Sequence, residues 1–171
     1  MACLMNVSAG VGTRFWRRGR FALLAVIAML CAATFGTITS ATAAETWSSN
    51  LEPLTIVTGK GEFVFHVEVA QTDEQRMRGL MHRRHMPADR GMIFLYEQEE
   101  PVAMWMENTY ISLDMLFVRA DGTVANIVTH AEPLSRRLLP SAGPVATVIE
   151  LNAGEAGRIG VKPGDRIIFR R

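Results

Sequence analysis

Within ten residues the chain places a tryptophan, an amide, a hydroxyl and a carboxylate: Trp105, Asn108, Thr109 and Asp114, set among apolar positions. Buried amide and carboxylate groups cost free energy unless they are hydrogen-bonded. Keeping them in an oily segment has two physical explanations. They present donors and acceptors to a small ligand in an apolar pocket, or they tie backbone groups where an extended run breaks before the next strand. Arg76 and Glu150 join the candidates. A guanidinium matches carboxylates bidentately, so Arg76, Asp114 and Glu150 can share one buried network. In its functional form Arg76 would bind an acidic ligand, and in its structural form it would pin a helix to a sheet. Trp105, Asn108, Thr109, Asp114, Arg76 and Glu150 are therefore the candidate ligand-binding set. Asp114 and Glu150, with Glu68, are also the carboxylates that a small glycoside hydrolase would need to pair.

Methionine is the second unusual feature. Seven follow residue 43: Met77, Met81, Met86, Met92, Met104, Met106 and Met115. Met104-Trp105-Met106 is similar to the arrangement in periplasmic copper(I) carriers, where two thioethers and a histidine hold the ion under a Trp ring. Thioethers suit copper(I), and a Trp face attracts cations. Met104, Met106 and His66 are the candidate metal ligands on this reading. The alternative is core packing, since Met is a flexible filler and residues at i and i+2 of a strand share a face. His82 and His85 are spaced like weak metal ligands but stand beside Arg83 and Arg84 at a helix end, and His130 opens a polar loop. The sequence contains no Gly-rich phosphate loop, nucleophile elbow or zinc-protease motif, so no catalytic group and no cofactor is implied.

The start of the chain sets the compartment. Residues 1–20 carry Arg14, Arg17, Arg18 and Arg20 and no acid. An apolar run from Phe21 to Ala33 follows, then small residues ending in Ala41-Thr42-Ala43-Ala44. These are the parts of a secretory signal over residues 1–43, with cleavage after Ala43 and a destination in the periplasm or outside the cell. The alternative is an anchor over residues 21–38, at the lower limit of a spanning helix and weakened by Thr34, Gly36 and Thr37. The membrane would be a partner only through that uncleaved segment. Met29 and Leu30 before Cys31 do not resemble a lipid-attachment box, and Arg17-Arg18 sits in surroundings that fit the twin-arginine motif poorly.

Cleavage would leave 128 residues with 14 basic and 17 acidic side chains, a net charge of −3. The basic residues fall in isolated pairs rather than a stripe, which argues against nucleic acid as a partner. Both cysteines, Cys3 and Cys31, belong to the signal. The remaining domain would have neither disulfide nor thiol chemistry, which an oxidising compartment allows. Its core is large enough to stabilise it alone.

Periodicity then places the candidate residues. Residues 44–53 read as a linker, followed by a single domain over 54–171. A short run at Leu54–Thr58, a turn at Gly59-Lys60-Gly61 and a strand with period-two alternation at Phe63–Val69 open it. Thr72 and Gln75 form a capping box for a helix that presents Met77, Leu80 and Met81 on one face and fades by Arg84. Gly79 inside it points to a close backbone contact. Gly91–Tyr96 is apolar on both faces and reads as a central strand. Glu97–Pro101 reads as a loop, and Val102–Met106 as extended chain. Strands at Leu113–Arg119 and Thr123–Thr129 join across Ala120-Asp121-Gly122 as a hairpin. A Pro- and Gly-rich loop spans Glu132–Pro144, and another strand spans Val145–Leu151. Asn152 is placed to cap a short helix that Gly160 ends. Arg166–Arg170 is the last strand. The expected class is mainly β (α+β): a small mixed or antiparallel sheet, curled toward a barrel, with one or two short helices.

Several of these segments carry a family resemblance. Phe65-His66-Val67-Glu68-Val69-Ala70, Arg76, Gly79-Leu80-Met81, Gly91-Met92, Trp105-Met106, Asn108-Thr109, Leu113-Asp114, Ile149 to Gly154 and Gly164-Asp165 resemble, in order, the motifs of the bacterial and archaeal domain-of-unknown-function family 192. The match covers roughly residues 54–169. Met104 and Glu107 depart from it, since the family often has a bulky residue before the Trp and a Lys after the Met. The resemblance implies a small, often exported β-rich fold and no particular substrate. The functional expectation is an exported module that binds a small molecule or a protein near Trp105. A soft-metal carrier and a small hydrolase are the alternatives.

Overall fold

The computed structural model describes residues 50–170. The expected signal, the alternative anchor and most of the linker lie outside them. The domain is mostly β, as the periodicity implies. Strand β1 (Glu52–Thr58) and β2 (Gly61–Ala70) form a hairpin, and α1 (Asp73–Arg78) leads to the long β3 (Arg90–Met104). Strands β4 (Leu113–Val118) and β5 (Val124–Ala131) form a second hairpin. They are followed by β6 (Leu139–Asn152), α2 (Glu155–Ile159) and β7 (Arg166–Phe169). The seven strands make one sheet in the order β5-β4-β6-β3-β2-β1-β7. Strands β2 and β3 are parallel, joined across α1, and the other neighbours are antiparallel. The sheet curls into a half-barrel. Its two edges meet at one end, where Thr123 bridges to Arg166 and Val124 N–H donates to Asp165 C=O (2.9 Å).

Both faces of the central strands are oily, so both must be covered. On β3, Ile93 and Leu95 point into the concave core with Leu54, Phe65, Leu116, Ile149 and Ile167. Met92 and Phe94 point outward into a second core with Leu80, Met86, Met106, Met115 and Phe117. Closure of the sheet on itself and α2 fill the first core. The second is covered by chain segments, namely the stretch after α1 and the stretch between β3 and β4. Removing apolar surface from water on both sides of one sheet is what holds these irregular segments in place.

Four boundaries differ from the sequence expectation. First, α1 ends at Arg78 instead of fading by Arg84, although the Thr72–Gln75 capping box forms. Gly79 terminates it at φ 46° and ψ −135°, and a Cβ there would lie 3.2 Å from the Phe94 ring. Glycine is needed because the chain drops directly onto the sheet. Second, residues 97–101 continue β3 through register shifts against β6 rather than leaving the sheet. Third, β6 begins at Leu139 and includes Pro140 and Pro144. Side chains substitute for the ladder there: Val102 N–H donates to Ser141 Oγ (3.0 Å), and Ala142 N–H donates to Asn126 Oδ1 (2.8 Å). Fourth, Asn152 does not cap α2. Its amide donates to the carbonyls of Met86 and Pro87 (3.0 and 3.1 Å) and staples that loop to β6.

Gly91 marks the closest approach in the sheet. A Cβ at this position would lie 2.6 Å from the Glu150 carbonyl oxygen and 2.9 Å from the Leu151 side chain. Neither the β6 backbone nor the buried Leu151 can move cheaply. Gly91→Ala should therefore destabilise the domain by about 3 kcal/mol, read as a lowered urea midpoint with an unchanged slope. A midpoint equal to that of the parent protein would show that the β3–β6 pair has slack.

Candidate functional site

The outer cover of the sheet is incomplete. Between α1 and the end of β3 lies an open cleft of about 370 Å³. Its floor is Phe94 and Glu150, and its walls include Arg76, Met81, Met104 and Trp105. Strand alternation explains the floor. Glu150 is in register with Met92 on β3 and Met115 on β4, so it projects to the outer face with them. The walls follow from two turns that knit together. His82 N–H donates to the Asn108 carbonyl (2.8 Å), Thr109 N–H to the Met106 carbonyl (3.1 Å), and the Arg84 guanidinium lies 4.9 Å from the Tyr110 ring centre. Trp105 is left at the rim, 46% exposed, beside the exposed Met77.

Four of the six expected binding residues meet here: Trp105, Thr109, Arg76 and Glu150. Asn108 does not line the cleft. It is exposed and adopts φ 56°, so its role is to turn the chain. Asp114 is a clear correction. It sits on the concave side of β4, completely buried, and its carboxylate accepts from His130 N–H (2.9 Å) and Ala156 N–H (2.9 Å). The second bond caps α2, whose own N-cap is Gly154 with no side-chain oxygen to offer. Asp114 and Glu150 thus lie on opposite faces of the sheet, and the carboxylate pair of a hydrolase is not assembled from them. Glu68 shares the outer face with Glu150, but it is bound bidentately by Arg83 (2.5 and 2.8 Å).

The expected Arg76–Asp114–Glu150 network does not form either. Arg76 donates to the carbonyls of Gln71 and Leu95 (2.5 and 2.8 Å) and pairs with Asp73. Its guanidinium lies 5.4 Å from the Tyr96 ring centre. It pins α1 to the end of the buried part of β3, which is the structural role the sequence allowed. The expected metal set is separated in the same way. Met104 lines the cleft, Met106 is buried in the outer core, and His66 is paired in register with Arg90 at the other end of β3. His66 is instead 3.8 Å from Asp89. Among the described residues no three His, Cys, Asp or Glu side chains converge as a metal cluster.

Glu150 is the unusual group. It is only 4% exposed, it borders the cleft, and it has neither a hydrogen-bond nor an ion-pair partner among the described residues. Desolvation pushes its carboxyl up to about pKa 8, so it is largely protonated at neutral pH. Tyr96, next to it, is pushed up to about 12, first by burial and further by Glu150 and Glu100, against the lowering effect of Arg76. Tyr96, Met77 and Met81 line the cleft but were not singled out as site residues by sequence reasoning. Met77 and Met81 fit a helical core face, but Met77 stays exposed on α1 and Met81 falls in the turn after it.

The family pattern described as DUF192, Uncharacterized ACR, COG1430, matches residues 55–169. The chain belongs to this family. Many motif residues that carry the likeness, Arg76, Gly79, Leu80, Met81, Trp105, Thr109 and Glu150, gather at the cleft. Two solved structures are similar. A Sinorhizobium meliloti protein described as a candidate transcription regulator is 45% identical, with a TM-score of 0.69, over 72% of this chain and 97% of that one. A protein of unknown function from Novosphingobium aromaticivorans is 38% identical, with a TM-score of 0.70, over 75% of this chain and 94% of that one. No match is found among curated proteins.

The two buried carboxyls should respond oppositely to mutation. Asp114→Ala orphans two backbone N–H groups and should cost about 3 kcal/mol in urea unfolding. Glu150→Gln should be near neutral or stabilising at pH 8. The raised carboxyl pKa means that the folded protein holds a proton the unfolded chain releases. Its contribution is complete below about pH 4.5 and is lost as pH rises through about 8. The parent protein should therefore lose a few kcal/mol between pH 5 and 8 that Glu150→Gln does not lose. Parallel pH profiles for the two proteins would refute the assignment.

Proposed function

We propose that this DUF192 domain is an exported, non-catalytic module that binds a small molecule in the cleft beside Trp105. One observation carries the reading. A buried carboxyl without a partner among the described residues opens into a concave space with apolar and aromatic walls. Such a group costs free energy in the folded state and is repaid when a ligand supplies the missing bond. The cleft volume lies in the range of small-molecule sites, and mostly apolar walls with a few convergent polar groups are their usual composition. Arg76 supports the site by holding α1 in place, and Thr109 by bracing the turn that carries Trp105. Asp114 and Glu150 lie on opposite faces of the sheet, which removes the support for a paired-carboxylate hydrolase and favours binding over turnover.

Export rests on the N-terminal pattern of basic, apolar and small residues. The net charge of −3 after cleavage fits a soluble accessory role better than binding to a polyanion.

Two measurements test the proposal. Expressed from its full reading frame in a bacterial host, the protein should be recovered from the periplasm beginning at Ala44. Full-length protein confined to the membrane would instead make residues 21–38 an anchor. In a fragment screen followed by NMR, hits should shift the Trp105 indole N–H together with the Gly79 and Thr109 amides. Trp105→Ala should weaken those hits by about tenfold. Hits that cluster elsewhere and ignore Trp105 would remove the cleft as the site.

A further inference from the structure

The donors and acceptors of the cleft are not balanced, and the imbalance selects the chemistry of the ligand. Arg76 spends both terminal nitrogens inside the protein, on two carbonyls and Asp73. Thr109 donates its hydroxyl proton to the Glu107 carbonyl (3.3 Å), and Glu107 itself receives Arg136 (2.5 Å). The Tyr96 hydroxyl points its proton at the Met104 sulfur (3.9 Å). What remains in the buried part of the cleft is acceptor capacity. It comprises both oxygens of Glu150, the lone pairs of Thr109 and Tyr96, and soft thioether sulfurs on the walls. A half-exposed indole stands at the rim, and its face attracts positive charge.

We propose that the ligand is an organic cation, a primary ammonium on a compact apolar body. The head would sit on the Glu150 carboxylate and the body between Trp105 and the side chains of Met77, Met81 and Met104. This rests on the reading that the cleft is a ligand site. An ammonium brings three donors and no acceptor, which is the complement of what the floor offers. Its charge also offsets the one the floor acquires. Glu150 releases its proton to solvent as the ammonium docks, and the ammonium keeps its own. An anionic ligand would meet an unpaired carboxyl on the floor, while Arg76 has three of its five N–H groups already engaged and Arg78 stands exposed on α1. A bare metal ion would leave most of the roughly 370 Å³ unfilled against the apolar Leu80 and Phe94.

The other charged or titratable groups around the cleft are Asp73, Arg76 and Arg78 from α1, Tyr96 from β3 and Glu107 from the turn after β3. Strand β4 presents only Met115 to Glu150. Asp73 and Glu107 are paired with arginines, and Tyr96 keeps its proton throughout the neutral range. Ionisation coupled to binding is therefore assigned to Glu150.

Titration calorimetry of the purified protein at pH 6, 7 and 8 tests this with four probes: hexylamine, hexan-1-ol, hexanoate, and silver(I) as an air-stable stand-in for copper(I). Hexylamine should bind at least about tenfold tighter than the alcohol, should tighten as pH rises, and should release a proton to buffer. Glu150→Gln should remove that preference, together with its pH dependence and the proton release. If the variant does not fold, the pH dependence and proton release of the parent protein carry the test. Preference for hexanoate, for silver(I) or for the alcohol overturns the ammonium assignment but leaves the cleft as a site. Silence from all four probes, together with a fragment screen that spares Trp105, overturns both readings.

Discussion

A sheet that is apolar on both faces must be covered on both sides, and most of this molecule follows from that constraint. Strands β3, β4 and β6 carry large hydrophobic side chains toward the concave core and toward the outer core alike. Curling the sheet covers one face at little cost, because the strands cover each other and the edges meet at Thr123 and Arg166. Among the described residues the other face has no second sheet and no long helix to cover it. Two irregular segments do the work, and they are held by packing under them and by backbone hydrogen bonds between them. Where they fail to meet, a cleft remains.

The two buried carboxyls show how the same chemistry serves opposite ends. Asp114 sits one strand away from Glu150, yet faces the opposite core. There it finds two backbone donors and becomes a strut that caps α2 and fixes the end of β5. Glu150 lies between Met92 and Met115 and finds none among the described residues. Burial with partners stabilises the fold, whereas burial without partners stores a cost that a bound molecule can offset. The difference arises from the period-two alternation of β-strands, which sends neighbouring register positions to different environments.

Much of the architecture was legible in the chain. The strand at Phe63–Val69, the two-faced strand at Gly91–Tyr96, the hairpin across Ala120-Asp121-Gly122 and the Thr72 capping box follow from local periodicity and turn chemistry, and they are present. Misplaced boundaries had non-local causes. The prolines of β6 are tolerated because Ser141 and Asn126 replace the missing ladder bonds. Helix α1 stops early because Gly79 must pass over the Phe94 ring. The candidate site was half legible. Trp105, Thr109, Arg76 and Glu150 were named from residue type, and they converge. Asp114 and Asn108 were named on the same grounds and went elsewhere, since residue type does not reveal which face or which turn a side chain will occupy.

The sequence by itself therefore determined most of the strands, which polar residues lie in oily surroundings, and the family to which the chain belongs. Those properties are local, written in alternation, turns and motif order. Only the tertiary structure decided which polar residues share a cavity, that Arg76 is largely engaged by α1 and β3, and that Glu150 has no partner among the described residues. Those properties depend on strand register and on contacts between segments tens of residues apart, which no local pattern encodes.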